Sequence, residues 1–241
     1  MMTKPLGRKN YGSIPHLPGS RVGPGDHTCH EGQARIATVK TRDRHDEVLV
    51  QEKLDGSNVG VALVGGKLYA LTRRGWLAEQ SRFAMHRCFA LWVEANHTRF
   101  FAVLQEGERL VGEWLMQAHG TIYNLQHEPF VAFDLMTGST RTPYDEFLSR
   151  IAPGDFVTPA LLYRGGAFSI KDSLDVLGDH GYHGAVDLAE GCVWRIERED
   201  PHRGRYVDFL VKFVRPTKVD GRYLSQDIFL AVPPSCQNKL V

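Results

Sequence analysis

The sequence predicts an α+β fold built on antiparallel sheets. Short apolar runs of strand character recur along the chain, a glycine pair joins two of them as a hairpin, and few stretches show helical spacing. Residues 1 to about 30 are rich in Gly, Pro and His (Tyr11-Gly12-Ser13-Ile14-Pro15, then His16-Leu17-Pro18-Gly19, then Gly23-Pro24-Gly25-Asp26) and are expected to drape over the domain as irregular chain. Residues 31–46 carry Ala34, Ile36, Ala37 and Val39 among charges and read as a helix. Val48-Leu49-Val50 opens the strand-rich part. The runs 59–64 and 68–72 flank Gly65-Gly66 as a hairpin. Residues 82–101 place Phe83, His86, Phe89, Ala90 and Val93 at helical spacing, with Trp92 beside them. Short apolar runs follow at 110–112, 130–133, 160–163, 192–196 and 209–213. Helices are expected at 142–151 and at 169–177, the second capped by Ser169.

Length and composition narrow the function classes. The 241 residues suffice for one large domain or two small ones with a substantial core. Apolar content of 42% and charged content of 24% are those of an ordinary soluble protein, and a net charge of +1 carries no global nucleic-acid signature, so any such surface must be a local patch. Cys29, Cys88, Cys192 and Cys236 are scattered with no C-x-x-C pair, which argues against a zinc ribbon or a disulfide framework and suits a reducing, cytoplasmic setting. The N-terminus lacks a signal-peptide core, and no stretch reaches the roughly 18 apolar residues of a membrane span. Asp26, His27, Cys29 and His30 fit no standard metal spacing.

The polar residues at the strand ends carry the chemistry. Lys53 lies in Glu52-Lys53-Leu54-Asp55-Gly56-Ser57-Asn58, at the end of an apolar run and before a turn; it is either a nucleophile or a salt-bridged hairpin lysine. Arg73 and Arg74 precede Gly75. Glu113 follows Leu110-Val111-Gly112, Asp134 follows Phe130-Val131-Ala132-Phe133, Glu190-Gly191 opens Cys192-Val193-Trp194-Arg195, and Lys212 lies inside the run 209–214. Charges on half-buried strands are costly unless they converge on a ligand or on one another.

The order and spacing of these segments resemble the covalent nucleotidyltransferases, the polynucleotide ligases and mRNA capping enzymes, and within them the stand-alone RNA ligase branch. Lys53-Leu54-Asp55-Gly56 resembles the nucleophile motif, and the preceding acid and following Asn58 bring it closer to RNA ligases. Gly112-Glu113-Trp114-Leu115, the segment ending in Phe133-Asp134, Glu190-Gly191-Cys192-Val193-Trp194-Arg195 and Leu210-Val211-Lys212-Phe213-Val214-Arg215 resemble the later motifs, all in order between about residues 50 and 216. The resemblance implies a ligase adenylation domain with antiparallel sheets flanking a nucleotide pocket. It implies a nucleotidyltransferase domain over 47–241, an irregular extension and helix over 1–46 packed on it, and no separate C-terminal domain.

It also implies roles. Lys53 would attack the α-phosphate of ATP and carry AMP, its usual pKa of about 10.4 depressed by burial and cationic neighbours, with Glu52 and Asp55 engaged elsewhere. Glu52 and Asn58 would border the nucleotide. Arg73, or alternatively Arg74, would contact sugar or phosphate through its donor fork. Glu113 would accept from the ribose hydroxyls, Phe133 would stack on adenine and Asp134 would support the pocket. Glu190 would bind Mg2+ or Mn2+, directly or through water, and Lys212 would stabilise the α-phosphate. Arg195 is a further candidate for a phosphate or a nucleic-acid end. Many relatives carry Lys-x-Lys where only Lys212 stands here, leaving Arg215 to compensate. A basic strip from Arg195 through Arg198, Arg203 and Arg205 to Arg222 could track an RNA end or be a solvated loop. The implied reaction joins a 5′-phosphate to a 3′-hydroxyl of RNA, with a helper protein possible. The alternatives are DNA or hybrid-nick sealing, GTP-using nucleotidyl transfer, and a non-catalytic nucleotide- or RNA-binding module.

Overall fold

Two antiparallel sheets dominate the computed structural model of the chain, which describes residues 4–224. Cys236 and the last part of the expected 47–241 unit lie outside those residues. The strands are β1 (Asp46–Lys53), β2 (Ser57–Val64), β3 (Lys67–Thr72), β4 (Glu108–Trp114), β5 (Phe130–Thr137), β6 (Thr140–Arg141), β7 (Leu161–Gly165), β8 (Gly191–Asp200) and β9 (Gly204–Val214). The first sheet has the order β7-β1-β8-β9, the second β3-β2-β4-β5-β6. The helices are α1 (Glu31–Thr38), α2 (Ala84–Ala95), α3 (His97–Val103), α4 (Tyr144–Ile151) and α5 (Ile170–Leu177). The α+β reading holds, with antiparallel sheets facing one cavity.

Both sheets obey the two-residue alternation of strands. In the first sheet Val48 and Val50 of β1, Trp194 and Ile196 of β8, and Val211 and Phe213 of β9 pack with Ala34 and Ala37 of α1 and Leu177 of α5. In the second sheet Val59, Val61, Leu110, Trp114, Phe130 and Ala132 pack against α2, α3 and α4, around Phe89, Trp92, Phe100 and Phe147. Leu49, on the other face of β1, joins this second cluster, so the sheets meet there.

Two predicted helices differ in extent. The helix expected over 31–46 stops at Thr38. Asp46 starts β1 instead, accepting the Arg42 backbone N–H at 2.9 Å and its guanidinium at 2.8 Å. The helix expected over 82–101 breaks into α2 and α3 at Asn96, whose side-chain amide donates to Trp92 O at 2.8 Å, a bond that competes with the helical ladder. Ser169 caps α5 as expected, accepting from Asp172 N at 3.1 Å.

Candidate active site

The chain leaves the first sheet at Lys53 and enters the second at Ser57, so Leu54-Asp55-Gly56 is the crossing between them. Gly56 is required there: a Cβ would stand 2.6 Å from the Trp114 carbonyl oxygen. Alternation along β1 puts Leu49, Gln51 and Lys53 on one face and Val48, Val50 and Glu52 on the other. Beyond Leu49 the first face opens into a cavity of about 970 Å³, bordered by Lys53 and Glu190 from one sheet and Asn58, Glu113 and Phe133 from the other. Asn58 and Glu113 sit directly opposite in the β2–β4 ladder. Arg73 and Arg74 lie exposed at the cavity lip, after a turn closed by Gly75 N donating to Thr72 O at 2.8 Å. Gly75 has φ +82°, and a Cβ there would strike the Arg8 carbonyl, which gives the glycine of the Arg-x-Gly spacing its reason.

Lys53 is closed in an ion pair. Its ammonium donates to Glu190 Oε2 at 2.6 Å and to Leu54 O at 3.3 Å. Burial alone would lower its pKa, but Glu190, Glu113 and Asp55 outweigh burial and hold it above the usual lysine value. The expected depression is therefore not the resting state, because the carboxylates around Lys53 outweigh burial. Burial pushes the carboxyl of Glu190 upward while Lys53 opposes it, and pushes Glu113 up to about 7. Of the two acids beside Lys53, Glu52 is engaged elsewhere as expected, whereas Asp55 is hydrogen-bonded to other groups but still raises the Lys53 pKa. Asp55 accepts from Gly120 N at 2.9 Å and Thr121 Oγ1 at 3.1 Å. Glu52, 2% exposed, accepts from Tyr182 N at 2.9 Å on the far face of β1, so it borders the cavity with its carboxylate directed away.

The remaining residues assemble unevenly. Glu113 accepts the Gly56 N–H at 3.2 Å. Phe133 is half-buried at the cavity wall, with Tyr11 edge-on at 5.3 Å. Lys212 borders the cavity from β9 and donates to Asp26 at 3.3 Å. Asn58 leaves its side-chain oxygen without a partner. Arg73 donates to Ser13 Oγ at 3.0 Å; both it and Arg74 border the cavity.

Three expectations are corrected. Arg195, 1% exposed, is closed by Asp134 and Glu197 at 2.6 and 2.7 Å and by the Thr142 carbonyl, so its guanidinium ties β8 to β5 and is spent on structure. Arg215 donates to Gly178 O at 2.6 Å and lies outside the cavity, so it does not stand in for a second lysine. The basic strip is not a continuous phosphate track: Arg198 pairs with Asp43 and Asp46, Arg205 with Glu197 and Glu47, and Lys218 is buried on the carbonyls of Gly120 and Leu188. His30, meanwhile, caps α1 through Gly32 N.

Two further residues at the site, Gln51 and His16, carry no motif signal in the sequence, and Asp26 stands out there only in a cluster that fits no metal spacing. Gln51 is buried at the cavity with its amide nitrogen unpartnered, and only the two-residue offset from Lys53 could have flagged it. His16 and Asp26 join Lys212 across 186 positions of sequence between Asp26 and Lys212, and no local pattern signals that. Among the described residues no set of three His, Cys, Asp or Glu side chains could cage a metal. Glu190, beside Lys53 at the cavity, is a carboxylate that could hold a magnesium-like ion, which takes only one or two protein carboxylates.

The family model described as RNA ligase matches residues 46–214. Among solved structures, the chain is similar to an archaeal ATP-dependent RNA ligase (19% identity, TM-score 0.51), covering 85% of this chain and 48% of that one. It is also similar to an apo mutant of a Naegleria gruberi RNA ligase (15% identity, TM-score 0.51, 83% of this chain and 58% of that one). A further mutant from Naegleria gruberi, with ATP and Mn, shows 15% identity and a TM-score of 0.50, over 83% of this chain and 59% of that one. At these identities the likeness is one of fold, and the chain spans about half the length of the archaeal protein. No curated protein matches by sequence. Among the described residues no helix is long and apolar enough to cross a membrane.

Proposed function

The chain belongs to the RNA ligase family, and from that premise we propose that it is an ATP-dependent RNA ligase working through a lysyl-AMP at Lys53. The observation that carries this reading is the convergence of Lys53, Glu113, Glu190 and Lys212, from both sheets, on one cavity of about 970 Å³. The Lys53 amine, once unprotonated, attacks the α-phosphorus of ATP. A nitrogen–phosphorus bond forms, the bond to the bridging oxygen breaks, and pyrophosphate leaves with its electron pair. AMP then passes to a 5′-phosphate, and a 3′-hydroxyl displaces AMP to seal the strand.

The resting ion pair sets a condition on that attack. Lys53 keeps its proton while Glu190 faces it at 2.6 Å, so the amine becomes nucleophilic only once that ion pair opens and the proton is lost. Mg2+ or Mn2+ bound at Glu190 would neutralise phosphate oxygens during the transfer. Glu113 accepts from the ribose hydroxyls, Phe133 offers a ring to adenine, Asn58 presents its free oxygen, and Glu52 contributes wall rather than charge. Lys212 meets the α-phosphate. An RNA end reaches the pocket across the lip, where Arg73, Arg74 and Arg82 make no ion pair among the described residues and border the cavity beside Phe83, 48% exposed.

Incubation with labelled ATP or GTP and either metal is expected to give covalent label from ATP that persists through denaturing electrophoresis, is released by acid and survives alkali as a phosphoramidate does, and vanishes in Lys53→Ala. No covalent adduct under any condition overturns the reading. Sealing of nicked RNA, nicked DNA and hybrids then identifies the polynucleotide.

A further inference from the structure

Residues 12–28 run along the free edge of β9, outside the span that matches the family. Lys212 N donates to Pro15 O at 3.0 Å, Leu17 N to Lys212 O at 2.8 Å, and Arg21 N to Val214 O at 3.0 Å. The segment folds back so that Cys29 N reaches His16 O at 2.8 Å. His16 is therefore buried, 2% exposed, directly beside Lys212. Its Nδ1 lies 2.7 Å from the Ser20 hydroxyl and its Nε2 3.0 Å from an Asp26 carboxylate oxygen. The same Asp26 oxygen accepts from Lys212 at 3.3 Å.

We infer that Asp26, supported by His16, is a positioning residue that holds the Lys212 ammonium in the cavity for the phosphates of the nucleotide. This rests on the ligase reading above. The ion pairs of the two cavity lysines differ in a way that suits their tasks. Lys53 is closed on Glu190 at 2.6 Å, whereas Lys212 is held at 3.3 Å, beyond the 2.7–2.9 Å usual for a charge-assisted bond. A loosely held ammonium can turn to a phosphate while Asp26 keeps its bond to His16. Backbone pairing and the buried Leu17 already fix the segment on β9, so the Asp26–Lys212 contact is not needed to hold it. The charged and titratable groups facing Lys212 are Asp26 and His16 from this segment, Lys53 at the end of β1 and Glu190 ahead of β8. Burial lowers the Lys212 pKa, Lys53 adds to that, and Asp26 and Glu190 oppose it. Asp26 thus keeps Lys212 charged as well as aimed.

The test is single-turnover adenylylation across pH, with lysine-labelled NMR titration of Lys212 alongside. Asp26→Asn is expected to slow adenylylation at saturating ATP roughly tenfold. It is also expected to move the alkaline limb of the rate profile about one unit lower. The Lys212 resonance should titrate lower by the same amount. Asp26→Glu restores the limb, whereas Lys212→Arg, which cannot titrate in this range, removes it, and adding Asp26→Asn to that background does not bring it back. Asp26→Ser serves if the asparagine variant does not fold. An unmoved limb and an unmoved Lys212 titration overturn the inference. A wild-type protein that forms no adduct overturns the ligase reading instead, and the NMR titration still decides the role of Asp26.

Discussion

The arginines at the two ends of the cavity are alike in sequence and opposite in state. At the rear, Arg195 is enclosed by Asp134, Glu197 and a backbone carbonyl, with Tyr11 and Arg141 completing the group around Asp134. At the lip, Arg73, Arg74 and Arg82 are exposed and free of ion pairs among the described residues. The difference teaches that pairing, not position along a basic run, separates a charge that holds the fold from one left available to a polyanion. A buried guanidinium is tolerable only with its partners in place, and exposed ones cost the fold little.

The largest break in this contrast is Arg195→Ala. It removes the buried cation that Asp134 and Glu197 share, leaving them Arg141 and Arg205 alone, and urea unfolding is expected to show a loss of about 3 kcal/mol; a loss no larger than that of a surface arginine would put Arg195 among the lip residues. Glu52 is the intermediate case, a buried carboxylate with a single backbone donor and its Oε1 unpartnered. Burial lifts it to about 7 from the usual 4.5. Its folded pKa is raised, so its contribution to stability is fully present below about pH 4.5 and is lost as pH rises through about 7. Glu52→Gln should therefore gain on the wild type by roughly 2–3 kcal/mol between pH 4.5 and 8, read from urea midpoints at several pH values. A gap that stays constant with pH shows that Glu52 is ionised throughout. The smallest effect on stability belongs to the combined Arg73→Ala, Arg74→Ala and Arg82→Ala variant. Its unfolding free energy should stay within about 0.5 kcal/mol of wild type. The salt dependence of its binding to single-stranded RNA should fall by roughly one unit of slope per arginine that met a phosphate. An unchanged slope moves the RNA path away from the lip.

Much of the fold and the cavity was legible because the informative residues mark strand ends. Lys53, Glu113 and Glu190 each stand where an apolar run meets a turn or a glycine, and the strands bring those ends together. The helices were less legible at their boundaries, since the apolar spacing over 82–101 does not register that Asn96 takes a ladder carbonyl for its own side chain. Charge pairing was not legible at all. Nothing near Arg195 in sequence announces Asp134, 61 positions away, and Arg215 looks as available as Lys212 until the chain turns it onto Gly178. The role inferred for Asp26 was hidden in the same way, inside a segment whose glycines and prolines announce only irregular chain.

That segment has one more effect. By bonding to Lys212 and Val214 it covers main-chain groups of β9 that would otherwise lie open at the border of the sheet. Uncovered strand borders recruit strands from other molecules. A fragment trimmed to the family-matched residues would therefore lose solubility as well as the carboxylate beside Lys212, associating side by side through β9.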